Sequence, residues 1–241
     1  MSARSAGWVP QQHGAWAMLA SPLLLGVLAS GPAWIHLPLA AFWFAGYFLF
    51  YAASMWLKSG RKARYLPATR TYAVLAAVLG VVTALAAPGL LRWVPWFLLP
   101  LGVGLWAAAH RQERALLAGL TTVLASALMT VVAYDAGPGE DLRRAALLAV
   151  GQFLYFGGTV WYVKSMIRER GNLRFRRLSV GWHALSTVAV ATFSLPLAVV
   201  FFVLTLRTWI VPRFSFSPKQ IGIAEIASTL AVALVSLLTV G

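Results

Sequence analysis

The 241-residue chain contains no cysteine, which removes disulfides, thiolate catalysis and cysteine-ligated metal together. Acidic residues are nearly as scarce. Six aspartates and glutamates stand against twenty lysines and arginines, and no carboxylates are paired four residues apart on the strongly basic side of the chain. Charged residues of both signs make up 11% of the chain, against 60% hydrophobic residues and a mean hydropathy of +0.76. A water-soluble domain cannot hide that much apolar surface, so the composition predicts a polytopic membrane protein. Long linkers, low-complexity tracts and a cleavable signal pattern are also lacking, because Trp8 to His13 separate the lone Arg4 from the first apolar run.

What is present is a series of apolar runs near the length of about 20 residues that a helix needs to cross a bilayer. The predicted spans are Gly14 to Ser30, Trp34 to Leu57, Thr71 to Ala87, Trp93 to Ala109, Leu116 to Ala133, Ala145 to Ile167, Val180 to Phe193, Leu195 to Val211 and Ile221 to Val240. The expected fold is all-α, a transmembrane bundle of about nine helices in one integral domain covering residues 1–241. One continuous apolar stretch must be split at Ser194-Leu195-Pro196 to reach nine; a single kinked span there would leave eight.

With the amino terminus in the cytoplasm, nine spans put nearly all the basic residues inside and leave only Arg92, Arg143 and Arg144 outside. The positive-inside rule selects that orientation. The net charge of +14 therefore marks short loops beside anionic head groups, and no nucleic-acid partner is expected.

Two segments about a hundred residues apart nearly repeat one another. Gly46 to Tyr65 reads GYFLFYAASMWLKSGRKARY, and 151–172 reads GQFLYFGGTVWYVKSMIRERGN. Phe48 and Phe153, Leu49 and Leu154, and Trp56 and Trp161 match, and Lys58-Ser59 answers Lys164-Ser165 with an offset of one. An internal duplication would make the protein two related halves; the small vocabulary of membrane helices also produces such matches.

The polar residues gather at the cytoplasmic ends. Pro10-Gln11-Gln12-His13-Gly14 enters the first span and Pro218-Lys219-Gln220-Ile221-Gly222 enters the last, each a helix start able to receive an anion or simply a cap. Glu225 lies one or two turns inside the last span, where a carboxylate needs a partner or a proton. The expected anion- or lipid-phosphate-binding set is Lys58, Arg61, Lys164, Arg168, Arg170, Lys219, Gln11 and Gln12. Glu225 and His13 are the candidates for acid or base, and the sharpest expectation is one cavity shared by Lys58, Lys164, Arg168, His13 and Glu225. Alternatively, Glu225 neutralises a basic residue and ties two helices. His36, His110 and His183 are scattered singles without metal-site spacing, so neither metal nor cofactor is expected.

The chain resembles the YwiC-like family of bacterial integral membrane proteins over nearly its full length. Four segments carry the resemblance: Pro10 to Met18, Arg64-Tyr65-Leu66-Pro67, Tyr162 to Arg170 and Gly222-Ile223-Ala224-Glu225. It implies a multi-pass protein of a bacterial inner or cytoplasmic membrane, and no particular reaction. More distantly the chain is similar to the UbiA superfamily of membrane prenyltransferases, with nine helices in two halves. In that superfamily the second and sixth helices lead into aspartate-rich motifs that hold Mg²⁺ and a prenyl diphosphate. Basic residues stand at those places here, so the metal-dependent chemistry does not carry over.

Three functions fit these residues. One is the binding or modification of a lipid bearing an anionic or isoprenoid phosphate. A second is transport of a small solute through a site between two halves. The third is a non-catalytic membrane factor that docks a partner on its basic loops. Oligomeric state is not legible.

Overall fold

A computed structural model describes residues 7–10, 13–214 and 216–241, with the side chains of residues 13, 14 and 218 outside the description. The described residues are all-helical. Nine α-helices follow one another: α1 His13–Ser30, α2 His36–Lys58, α3 Leu66–Ala86, α4 Val94–Ala109, α5 Leu116–Ala136, α6 Leu142–Ile167, α7 Leu173–Ala191, α8 Leu195–Ile210 and α9 Pro218–Thr239. Seven helical segments, corresponding to α2–α6, α8 and α9, are long and apolar enough to cross a membrane. The apolar stretch Ala15–Ser30 of α1 is shorter. The remaining helix, α7, carries Arg174, Arg176 and Arg177 in its opening turns, which lowers its hydropathy without shortening it.

Helix boundaries follow capping chemistry more closely than hydropathy. The split at Ser194 is real, because its hydroxyl accepts the Leu197 N–H as an N-cap and Pro196 suits the first turn that follows. Asn172 caps α7 through the Phe175 N–H, starting that helix seven residues before the apolar run at Val180. Pro67 similarly lets α3 begin at Leu66 rather than Thr71. At α9, Ser217 and Gln220 form a reciprocal capping box.

Neighbouring contacts define the directions. Phe48 meets Tyr72, and Phe42 lies beneath Gly80, so α2 and α3 are antiparallel. Trp161 meets Phe175, while Trp182 donates to the Leu154 carbonyl at 3.0 Å, which makes α6 and α7 antiparallel. The same relation holds for α6 and α9 through Tyr155–Thr229 and Gly151–Ser236. At the centre α1 and α5 run parallel: Ser126 donates to the Met18 carbonyl, and Gly26 sits against Thr130 and Ala133. In lipid the apolar effect does not drive helix pairing, so small residues that permit close backbones matter most.

The largest buried cluster includes Leu25 of α1, Val123 of α5, Phe156 of α6, Phe201 of α8 and Val232 of α9. A second joins α1, α2 and α5 through Leu23, Leu39 and Met129. By contrast α3 turns Val74, Val78, Val81 and Leu85 outward, as a peripheral helix facing lipid does. The C-termini of α2, α4, α6 and α8 and the N-termini of α3, α5, α7 and α9 therefore meet at one end, the basic end. The opposite end holds Arg92, Arg143 and Arg144.

Candidate functional site

The sequence-predicted residues separate into three places at the basic end. Lys58 at the end of α2 forms a 2.9 Å ion pair with Glu113 in the α4–α5 connection. Lys164 at the end of α6 donates to the Arg114 carbonyl at 3.2 Å and lies 5.8 Å from the Phe175 ring centre. The twin lysines thus brace the same loop from two helices. Among the described contacts neither lysine bonds Glu225; each is held by the α4–α5 connection.

Arg61, Arg168 and Lys219 are exposed. Arg61 leans over the Trp56 ring at 5.8 Å, and Arg168 forms the C-cap of α6 through its backbone. Gln11, Gln12 and the side chain of His13 lie outside the described residues. The expected anion-receiving start of α9 is occupied by its own cap, since Gln220 Oε1 accepts from the Ser217 N–H at 2.9 Å and hydroxyl at 3.0 Å.

Arg170 reaches a different place. The turn from α6 into α7 reverses at Gly171, whose φ of +85° favours glycine, and opens a cleft of about 60 Å³. Arg170, Asn172 and Arg176 line it beside Met166, Phe214 and Phe216. Two guanidiniums at the start of α7 add to the positive end of that helix's dipole. Glu169 lines it too, its Oε2 accepting from Asn172 Nδ2 at 2.8 Å, so the lining mixes two guanidiniums, one carboxylate and apolar surface.

Glu225 is buried within the bundle, with 9% of its surface exposed. Thr159 of α6 donates to its Oε2 at 2.8 Å, and the Tyr155 hydroxyl lies 3.4 Å from the same oxygen. Oε1 sits 2.7 Å from Arg207 Nη1, within ion-pair distance but outside hydrogen-bond geometry. The same Nη1 donates to Ser228 at 2.9 Å, and the guanidinium lies over the Tyr162 ring at 4.2 Å. Glu225 therefore joins α6, α8 and α9 through a buried ion pair, as the helix-tying alternative requires. Arg207 was missed because it was counted with the basic flank of the eighth span. Its signal was position: it stands one turn inside the predicted end at Val211.

The histidines have local jobs. His36 Nδ1 accepts the Ala33 N–H at 2.8 Å, so Nε2 carries the proton it gives to the Ala133 carbonyl at 2.8 Å. His110 and His183 each bond the carbonyl four residues earlier. Among the described residues no three histidines or carboxylates are grouped as metal ligands. Asp135, in the last turn of α5, is paired with Arg92 and bonded by the Trp93 indole at 2.8 Å.

Residues 9–134, covering α1 almost to the end of α5, match the family described as YwiC-like protein. The chain is 33% identical over 222 residues to the uncharacterised protein YwiC of Bacillus subtilis, spanning 91% of this chain and 92% of that one. It is 30% identical over 223 residues to an uncharacterised protein of Haemophilus influenzae, spanning 92% and 93%. No solved structure matches the chain.

Proposed function

The chain belongs to the YwiC-like family of multi-pass membrane proteins, and we propose that it holds a phosphate-bearing anionic lipid at its basic end, in a bacterial cytoplasmic membrane. One observation carries this reading: the cleft between the end of α6 and the start of α7 combines Arg170 and Arg176 with the apolar surfaces of Met166, Phe214 and Phe216. A lipid head group needs that pairing. The Arg176 guanidinium offers two donors to phosphate oxygens, Arg170 adds positive charge beside it, and the aromatic and thioether surface accepts the first carbons of the tail. Arg61, Arg168 and Lys219 supply field rather than contact, concentrating anionic lipid near the cleft. Lys58 and Lys164 hold the adjoining loop. Because Glu225 is tied to Arg207, binding is favoured over acid–base modification of the lipid.

The test uses the full chain in nanodiscs. Phosphatidylglycerol is expected to raise the melting temperature and remain bound in native mass spectrometry, whereas phosphatidylcholine does neither. Arg176→Gln should remove most of the difference. Equal stabilisation by both lipids, or an unchanged preference in Arg176→Gln combined with Arg170→Gln, overturns the reading.

A further inference from the structure

The most unusual group in the bundle is the guanidinium of Arg207. It has five N–H donors. Nη1 is engaged by Glu225 and Ser228, but Nε and Nη2 are buried and have no hydrogen-bond partner among the described residues. Unmet donors of a charged group are expensive away from water, and a buried ion pair is itself no better for stability than packed apolar side chains. An arrangement that is costly twice over needs a use. The free edge made by Nε–H and Nη2–H is a planar fork, the geometry that takes two oxygens of one phosphate or carboxylate.

We propose that Arg207 is a binding site for a monoanionic oxyanion, phosphodiester or carboxylate, and that Glu225 takes up one proton when that anion binds. Charge dictates the coupling. Arg207 and Glu225 together are neutral, with side chains only 15% and 12% exposed. An anion arriving alone would leave a net negative charge among buried hydroxyls and rings. A proton arriving on the Glu225 carboxylate restores neutrality: Arg207 keeps its positive charge, Glu225 becomes an uncharged neighbour, and the two anion oxygens accept from Nε–H and Nη2–H. One anion and one proton enter together, so the site has the stoichiometry of proton-linked anion uptake.

The surroundings support a proton on Glu225 rather than elsewhere. Facing the pair from α6 are Tyr155, Thr159 and Tyr162; on α9 itself are Ser228 and Thr229; and α7 brings His183 within the field of Arg207. The remaining helix packed on α9 is α1, which has no titratable residue from Ala15 to Ser30. Tyr155 and Thr159 already place hydroxyls at Oε2, so protonation can occur with these partners rotating in place. Toward the basic end, Tyr162 beneath the guanidinium packs in one cluster with Met166, which lines the cleft, so an anion entering from that end has to displace these side chains.

The probe is dimethyl phosphate, a monoanion across the working pH range, with phosphatidylglycerol in nanodiscs as the lipid-borne form of the same group. In weakly buffered detergent solution, dimethyl phosphate is expected to bind the wild type with uptake of about one proton per anion. Its affinity should rise about tenfold for each pH unit of acidification over the range in which binding takes up a proton. Glu225→Gln mimics the protonated state, so it should bind with no proton uptake and no pH dependence. Arg207→Lys keeps the charge but loses the fork, and should weaken binding at least tenfold at every pH; its melting curve reports folding. Arg143→Gln, exposed at the opposite end of the bundle, should leave binding and proton uptake intact and serves as the control. Uptake with phosphatidylglycerol alone would assign a lipid source, and uptake with dimethyl phosphate a free anion. Binding of neither probe, binding to the wild type without proton uptake, or an unchanged pH dependence in Glu225→Gln overturns the proposal.

Discussion

Arg144 donates through Nε to the carbonyl of Val240 at 2.9 Å, tying the start of α6 to the residue that follows α9 at the far end of the bundle. Its Nη1 and Nη2 reach the carbonyls of Ala29 and Leu237 at 3.3 and 3.2 Å. Ala29 lies in the last turn of α1 and Leu237 in the last turn of α9, so a cation stands where two helices present unpaired carbonyls and negative dipole ends. Arg144→Ala leaves these carbonyls to compete for water at a half-buried site. The expected loss is about 1–3 kcal/mol of stability, read as a lower melting temperature in detergent. Arg143→Ala, one residue earlier and exposed, should change it little.

Close approach of α1 and α5 gives a sharper steric test. A Cβ on Gly26 would lie 2.4 Å from the Thr130 carbonyl oxygen and 2.8 Å from Ala133 Cβ. Those are backbone and short side-chain atoms that cannot swing aside, so Gly26→Ala must separate the two central helices. Overpacking of this kind costs about 1–3 kcal/mol. At Gly46 a Cβ meets nothing within 4 Å, and Gly46→Ala should be neutral or slightly stabilising through helix propensity. Equal melting temperatures for the two variants would show that α1 and α5 are not in contact there.

This contrast also shows what the sequence made legible. Hydropathy located nine helices, and Ser194 with Pro196 marked the division between α7 and α8, because caps and membrane thickness are local properties. The start of α7 at Leu173 was hidden because arginines in a helix's first turn read as loop when only apolar residues are counted. At the candidate site, Glu225 was visible as a carboxylate inside an apolar run, and the need for a partner followed from electrostatics. The identity of that partner depended on how α8 lies against α9, a tertiary fact with no periodicity to reveal it. Lys58 and Lys164 were visible as twins, but their shared attachment to the α4–α5 loop depended on which helix ends meet.

That loop contains a second testable position. Arg111 has a φ of +57° and occupies the left-handed turn after α4, where its N–H bonds the Ala108 carbonyl at 3.2 Å and Gln112 bonds Ala107 at 2.7 Å. Glycine ordinarily takes this place. Arg111 gains only a 3.3 Å contact from its Nε to the Lys58 carbonyl. Arg111→Gly should therefore raise stability by about 0.5–1 kcal/mol. A drop in melting temperature would mean that the side chain contributes more than its exposed contact suggests.

The missing cysteines make orientation directly measurable, since any introduced thiol is the only one in the chain. Lys62, Arg174, Glu140 and Thr192 are exposed and divide between the two ends of the bundle. Lys62→Cys and Arg174→Cys should react with an impermeant maleimide only from the cytoplasmic side of sealed vesicles, following the basic loops. Glu140→Cys and Thr192→Cys should react only from the other side. Thr192 is the informative member, because it follows α7, the helix with arginines in its opening turns. With α6 and α8 running in the same direction, α7 has to carry the chain back across, and Thr192 must then face away from Arg174. If both react from the same side, α7 lies at the surface, α8 loses its place beside α6, and Arg207 could not meet Glu225 inside the membrane.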